Sequence, residues 1–457
     1  MPILFVVTAL LGAPLFAIFG GLALYQYLTN GLFPVAILSE YYKLASQPVL
    51  LTIPLFTFAG YLLAESNAPH RLVKVSKALI GWMPGGLAVV TIFSCAFFTA
   101  FTGASGVTII ALGGLMYPIL MEDRYGDKFS MGLVTCCGSV GLLFAPSLPL
   151  ILYGLIGSVS IDQLFIAGLI PSLVIIFILS AYSAFVGNTQ KVSRVPFEAK
   201  NIALAVREAI WELPLPFLIL FGIYGGFITA SEAAAVTAFY VLIIEVGIYR
   251  DVKITNIARI IKESMMLVGG ILIILGVAMG LTNFMIDQQV PDMLFDWVSH
   301  FITSKWMFLV VLNLFLLVVG CLMDIFSAII VVLPLIMPIA NKYGVHPIHL
   351  AMIFLTNLEI GYLTPPVGLN LFISSFRFKR PVVDLYKISF PFLGLLFLAL
   401  LIITYVPWLS LVLLDSDFGW RFWLGSTLTL GVFAFMLKGI DTLGQSKKAA
   451  LSVEASS

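Results

Sequence analysis

Four short stretches hold the residues that could do chemistry. They are Thr102-Gly103-Ala104-Ser105-Gly106, Ala145-Pro146-Ser147-Leu148-Pro149, Met323-Asp324-Ile325-Phe326-Ser327 and Thr364-Pro365-Pro366-Val367-Gly368. Each interrupts an apolar run. Proline lacks a backbone N–H and its ring clashes with the preceding turn, so the double proline at 365–366 cannot continue as ordinary helix. A break frees backbone carbonyls, and here hydroxyls and a carboxylate lie beside them. Such an all-oxygen set suits a hard monovalent cation such as Na⁺, while half-helix N-termini carry partial positive charge and suit an anion. The candidates are Gly103, Ser105, Ser139 and Ser147 in the first half, and Asp324, Ser327, Thr364, Gly368 and Asn370 in the second. A lone Ser or Thr often bonds back to its own helix, and a proline can be a plain kink. Two prolines with flanking glycines exceed what a kink needs.

The segments that must position these residues are apolar. The chain has 457 residues, 61% hydrophobic and 10% charged, where a soluble domain carries about a quarter charged. Runs of about 20 apolar residues recur along its length, each enough to cross a bilayer. We read an all-α polytopic membrane protein of ten spans and two re-entrant hairpins. Spans are expected at 2–27, 49–66, 129–155, 163–187, 213–229, 231–249, 264–284, 349–376, 388–410 and 419–437, and the hairpins at 82–121 and 306–340. The spans 129–155 and 349–376 are broken in the middle. Irregular backbone at membrane depth survives only when buried in protein or lining a cavity, and discontinuous helices of this kind build the sites of secondary transporters. The polar tail after Lys438 is expected to be disordered.

The two halves match. GLLFAPSLPL at 141–150 parallels GYLTPPVGLN at 361–370, and GGLMYPILMEDRYG at 113–126 parallels LPLIMPIANKYG at 333–344. Pro118/Pro338, Pro146/Pro366, Gly141/Gly361 and Leu143/Leu363 share one offset of 220. We therefore divide the chain into a first repeat (1–190, with hairpin 82–121), a linker and extra span (191–229), a second repeat (230–410, with hairpin 306–340), a C-terminal span (411–437) and a tail (438–457). Lys and Arg cluster on one side: Arg71, Lys74 and Lys77; Arg124 and Lys128; Lys191 to Arg207; Arg250 to Lys262; Arg377, Lys379 and Arg380; Lys438 to Lys448. The positive-inside rule then places both termini in the cytoplasm. The hairpins enter from opposite sides, so the repeats are inverted.

Several chemistries are excluded. Ser105 has no histidine nearby and no G-x-S-x-G spacing, and there is no G-x-x-x-x-G-K-[ST], so neither a nucleophilic serine nor a P-loop is present. The four cysteines lie in apolar runs and read as packing. The net charge of +1 argues against nucleic acid. Asp324 and Glu359 are the deepest ionisable groups, and an intramembrane carboxylate is a functional candidate by default. Glu232, following Ser231 at a helix start, reads as a cap and dipole partner.

NLEIGYLTPPVGLNLFIS (357–374), ASEAAAVTAFY (230–240), GCLMDIFSA (320–328), GSVGLLFAPSLPLILYG (138–154) and IPLFTFAGYLL (53–63) resemble the large membrane subunit of TRAP (tripartite ATP-independent periplasmic) transporters. The resemblance implies an elevator-type, Na⁺-coupled importer in the bacterial inner membrane, not an enzyme. Its cargo would be an organic acid such as a C4-dicarboxylate or sialic acid. Na⁺ would be the transported coupling ion, and no organic cofactor is expected. A small four-helix membrane subunit and a periplasmic substrate-binding protein would be its partners, with membrane lipid around it, and no fused small subunit is expected ahead of Met1. One Na⁺ site would join Gly103 and Ser105 to the 138–147 turn, including Ser139 and Ser147. The other would join Asp324 to Gly361 and Thr364. Ser327, Pro365, Gly368 and Asn370 are the candidates for the substrate, with Arg377 as the nearest cation. Ala145, where a second proline often stands, and the tip T-G-A-S-G depart from the family pattern. H⁺ coupling through Asp324 or Glu359, and an ion channel, are the alternatives.

Overall fold

The computed structural model describes residues 13–83, 85–190, 192, 198–224 and 227–414. The expected span 419–437, the tail, and the first residues of span 2–27 lie outside them. Among the described residues every element is helical, as lipid demands of chains whose backbone has no water to bond. Eight helices are long and apolar enough to cross a membrane, or nine if one bent pair is counted as a span.

In chain order the elements are α1 (Leu15–Thr29), α2 (Val35–Ala45), α3 (Pro48–Glu65), α4 (Ala68–Ile80), α5 (Gly86–Thr102), α6 (Ser105–Glu122), α7 (Asp127–Cys137), α8 (Leu148–Gly157), α9 (Ile161–Thr189), α10 (Ala199–Glu208) and α11 (Pro214–Tyr224). They continue as α12 (Ala230–Ile248), α13 (Ile254–Asp287), α14 (Val290–Ser299), α15 (Lys305–Leu322), α16 (Ile325–Lys342), α17 (Pro347–Gly361), α18 (Leu369–Phe378) and α19 (Val382–Tyr405).

The long α13 packs along α1, α2 and α3, and α3 packs on α12. These five helices form a frame. Two differences from expectation lie there. Helix α2 was not expected, because its eleven residues include Ser39, Glu40 and Lys43 and are too few and too polar for a span. Helix α13 begins at Ile254 instead of 264, running through charges that pair along its face, with Arg259 3.1 Å from Glu263. At the start of α12 Glu232 serves as the capping partner the sequence suggests, with Thr229 as the N-cap. Its hydroxyl accepts from the Glu232 N–H while the Glu232 carboxylate accepts from the Thr229 N–H at 2.8 Å, a reciprocal capping box.

Both hairpins return to where they enter. A methyl on Gly187 of α9 would fall 2.5 Å from Gly85 Cα and 3.2 Å from Tyr125 Oη, so the two ends of α5–α6 meet at one point. At the second hairpin Lys305 Nζ donates to the Gly344 carbonyl at 2.7 Å, and the Phe308 and Tyr343 rings stack at 4.5 Å. The short arms α4 and α14 lead into the first and second hairpins respectively.

The helical segment Asp127–Leu143, which continues α7, and α8 bend by 42° across the first break, and α17 and α18 flank the second. The Ala145–Pro146 and Pro365–Pro366 peptides are both cis. The repeats interlock. Helix α8 packs on α16, and α18 packs on the first half of α6. Each break lies against its own hairpin through a glycine at matched positions. A methyl on Gly141 would sit 2.1 Å from the Ala96 carbonyl oxygen, and one on Gly361 2.4 Å from the Gly320 carbonyl carbon. No larger residue fits where backbone meets backbone this closely.

Candidate functional site

The first tip and first break meet as one buried cluster of hydroxyls and carbonyls. Gly103 turns the chain with φ +62° and packs on Leu148. Ser105, Ser139 and Ser147 are all buried. Thr99, one turn before the tip, ties the cluster together: its hydroxyl bonds Thr108 Oγ1 at 2.8 Å, the Gly138 carbonyl at 3.0 Å and its own helix at the Cys95 carbonyl at 2.8 Å. Asn370 arrives from the other repeat, donating to Ser139 Oγ at 3.3 Å and to the Thr135 carbonyl at 3.5 Å. Thr135 Oγ1 in turn lies 2.9 Å from Ser374 Oγ. Among the described residues, two buried oxygens here are without a hydrogen-bond partner: Ser147 Oγ and Asn370 Oδ1. Unsatisfied buried oxygens are costly unless something else fills their demand, and oxygens of this kind suit a small hard cation.

The second tip is built differently. Asp324 caps α16, its Oδ1 accepting from the Phe326 and Ser327 N–H groups at 3.0 Å each and its Oδ2 from the Ser327 hydroxyl. The Tyr362 hydroxyl accepts from the Ile325 N–H at 2.8 Å, which fixes this tip to the second break. Thr364 Oγ1 bonds back to the Ile360 carbonyl at 2.9 Å. Gly368 takes φ +58°. Pro365, Pro366 and Val367 are exposed, and the Pro366 carbonyl accepts from Tyr386 at 2.6 Å.

The structure thus brings Gly103, Ser105, Ser139, Ser147 and Asn370 into one region, and Asp324, Ser327, Gly361 and Thr364 into another, with Pro365 and Gly368 in the loop of the second break. Arg377 stands apart: its Nε donates to the Ile110 carbonyl at 3.1 Å and its guanidinium covers Gly114, so it pins α18 to the first hairpin. Glu359 is fully buried, and among the described residues neither of its oxygens accepts a hydrogen bond. Sequence reasoning missed Thr99 and Tyr362. Thr99 lies one turn from the tip and on its face, a helical spacing that could have found it. Tyr362 directly follows the matched Gly361, where a phenol at a helix break has few reasons to be other than a hydrogen-bonding group.

Residues 2–409 match the family model described as the tripartite ATP-independent periplasmic transporter, DctM component. A C4-dicarboxylate TRAP transporter large permease protein from Pseudomonas aeruginosa is 34% identical over 373 residues, covering 81% of this chain and 87% of that one. An isethionate TRAP transporter permease from Oleidesulfovibrio alaskensis is 33% identical over 414 residues, covering 89% of this chain and 65% of its own length. In fold, the crystal structure of the Alcanivorax borkumensis YdaH transporter is similar with a TM-score of 0.52 at 13% identity, over 81% of this chain and 87% of that one. The chain belongs to the TRAP transporter family as its large membrane component, a multi-pass membrane transporter subunit and not an enzyme.

Proposed function

We propose that this subunit imports a small organic anion across the bacterial inner membrane, driven by Na⁺, after a periplasmic binding protein delivers it and with a small membrane subunit alongside. Both termini would lie in the cytoplasm, following the basic residues. The observation that carries this reading is the pair of hairpin tips, each set against a helix break rich in oxygens. One Na⁺ would lie among Gly103, Ser105, Ser139 and Ser147, and a second among Asp324, Gly361 and Thr364. The unpartnered oxygen of Ser147 supports the first site. The substrate would meet Ser327, Pro365, Gly368 and Asn370, near the N-terminal end of α18, where the backbone N–H groups favour an anion. A carboxylate or a sulfonate would suit that end equally, in keeping with relatives named for a C4-dicarboxylate and for isethionate. Movement of the hairpins against the frame, as an elevator, would carry the site across.

The test is uptake of labelled succinate, isethionate and sialic acid into proteoliposomes holding the complex, each with its candidate binding protein. Uptake that needs both partners and collapses without a Na⁺ gradient is the expected result. Concentrative uptake that persists without Na⁺, or flux at channel rates with no counter-ion dependence, would overturn it.

A further inference from the structure

Away from the two breaks, one buried charge cluster stays unaccounted for, on the arm that leads into the first hairpin. Arg71 of α4 donates from Nε and Nη2 to Glu212 Oε1 at 2.8 and 2.5 Å, from Nη2 to Glu245 Oε2 at 3.2 Å, and from Nη1 to Asp251 Oδ2 at 2.7 Å. Its guanidinium carbon lies 3.9 Å from the centre of the Tyr249 ring. Asn67 adds bonds to Asp251 from its N–H and its amide, both at 3.1 Å. Glu212 and Glu245 are 2% and 0% exposed. The next charges outward are the exposed pairs Lys74–Glu208 at 2.7 Å and Arg259–Glu65 at 2.5 Å, with Glu263 beside Arg259.

The charges do not balance. One guanidinium faces three carboxylates, a net of −2 if all are ionised. Among the described residues Glu212 Oε2 and Glu245 Oε1 are buried without a hydrogen-bond donor, and the two carboxyls converge on one nitrogen, Arg71 Nη2, 2.5 Å from Glu212 Oε1 and 3.2 Å from Glu245 Oε2. Two carboxylates drawn to one nitrogen and out of water repel each other, and a proton on one of them relieves that repulsion.

We propose that Glu212 and Glu245 share one proton, forming a proton-binding site that fastens the first hairpin's arm to the frame. Among the described residues Arg71 supplies the positive charge of the cluster, and the proton adds to it. Glu245 ends α12 of the frame, Glu212 lies in the turn between α10 and α11, and Arg71 lies on the arm, so the proton joins three elements at one point. On release of the proton, the facing carboxylates repel and the arm loosens.

The sign of the pH dependence follows. A proton shared by the pair in the folded chain and released on unfolding adds stability at low pH that is lost as pH rises. Asp251 works in the opposite direction. Burial alone would raise its carboxyl, but hydrogen bonds from Arg71 and Asn67 hold it below the usual carboxylate range. Its contribution is present above the unfolded value and lost as pH falls.

Infrared pH-difference spectra of the full-length protein in lipid nanodiscs test the proposal without any substrate. Raising the pH should bleach the carbonyl band of a protonated carboxyl. Glu212→Gln and Glu245→Gln should each abolish that bleach, while Asp251→Asn retains it. In parallel, the wild-type thermal midpoint should drop by roughly 2–4 °C across the same pH range, and Glu245→Gln should flatten the drop. A wild-type spectrum with no such band, or a bleach unchanged in both glutamine variants, overturns the proposal. So does a midpoint that rises with NaCl or KCl at fixed pH and ignores pH, since an ion rather than a proton would then occupy the pair. If neither glutamine variant folds, Glu359→Gln, which leaves the cluster intact, should retain the bleach, and loss of the bleach in that variant overturns the proposal.

Discussion

The two helix breaks share a backbone plan and differ in almost everything built upon it. Both follow a glycine jammed against its own hairpin, and both contain a cis X–Pro peptide. The first is sealed: Ala145, Pro146 and Ser147 are buried, with hydroxyl-to-carbonyl bonds and no charge in its cluster. The second is open: Pro365 to Val367 are exposed, and its hairpin tip carries the carboxylate of Asp324. Broken backbone at membrane depth needs protein or water around it. The first break is thus packed within protein, while residues 365–367 of the second lie at the protein's surface.

The largest contrast should come from accessibility. Cysteine at Val367, 42% exposed, should react with a membrane-impermeant thiol reagent in the full complex, and cysteine at Ala145, 6% exposed, should not. Equal labelling would remove the open-versus-sealed distinction. Next in size are the glycines. Gly141→Val and Gly361→Val each drive a side chain into backbone and should cost at least about 1–3 kcal/mol, seen as loss of folded protein in detergent. A variant of either kind that folds and melts like wild type would mean that hairpin and break are not in register.

Smaller effects separate the tips. Thr99→Val keeps the shape but strands the Gly138 carbonyl and Thr108 hydroxyl, at about 1–3 kcal/mol of thermal stability. Tyr362→Phe removes a single acceptor from the Ile325 N–H and should cost about 1 kcal/mol. If the order reverses, the second tip depends on hydrogen bonding more than the first. Smallest in stability is Asp324→Asn, because asparagine caps a helix about as well as aspartate. Its melting point should hardly move while Na⁺-driven uptake falls. Full uptake in this variant would confine Asp324 to its role as a cap.

Much of this was legible in the sequence, for reasons that can be stated. The breaks announce themselves because two prolines cannot sit in a helix, and the repeat because Gly141 and Gly361 leave no freedom to drift. The hairpins follow from the distribution of Lys and Arg. Other features were hidden. Helix α2 is neither long nor apolar enough to signal a span, and charged residues mask the beginning of α13. Asp324 looks the same in sequence whether it caps a helix or holds an ion. Arg377 reads as a cation near the site, yet its side chain is committed to the Ile110 carbonyl. The Arg71 cluster draws on positions 71, 212, 245 and 251, and no local pattern links residues that far apart.

The amide of Asn370 serves the first break from within the second repeat. Its counterpart at the shared offset is Leu150, which has nothing to donate. The duplication has therefore lost its interchangeability at this point. Two copies of the first repeat would present leucine where Ser139 needs an amide. Two copies of the second would have the amide without that serine, since Glu359 holds the matching place. Neither half could be rebuilt into a working whole by pairing with itself, and a change at residue 370 will be felt in the half of the molecule to which it does not belong.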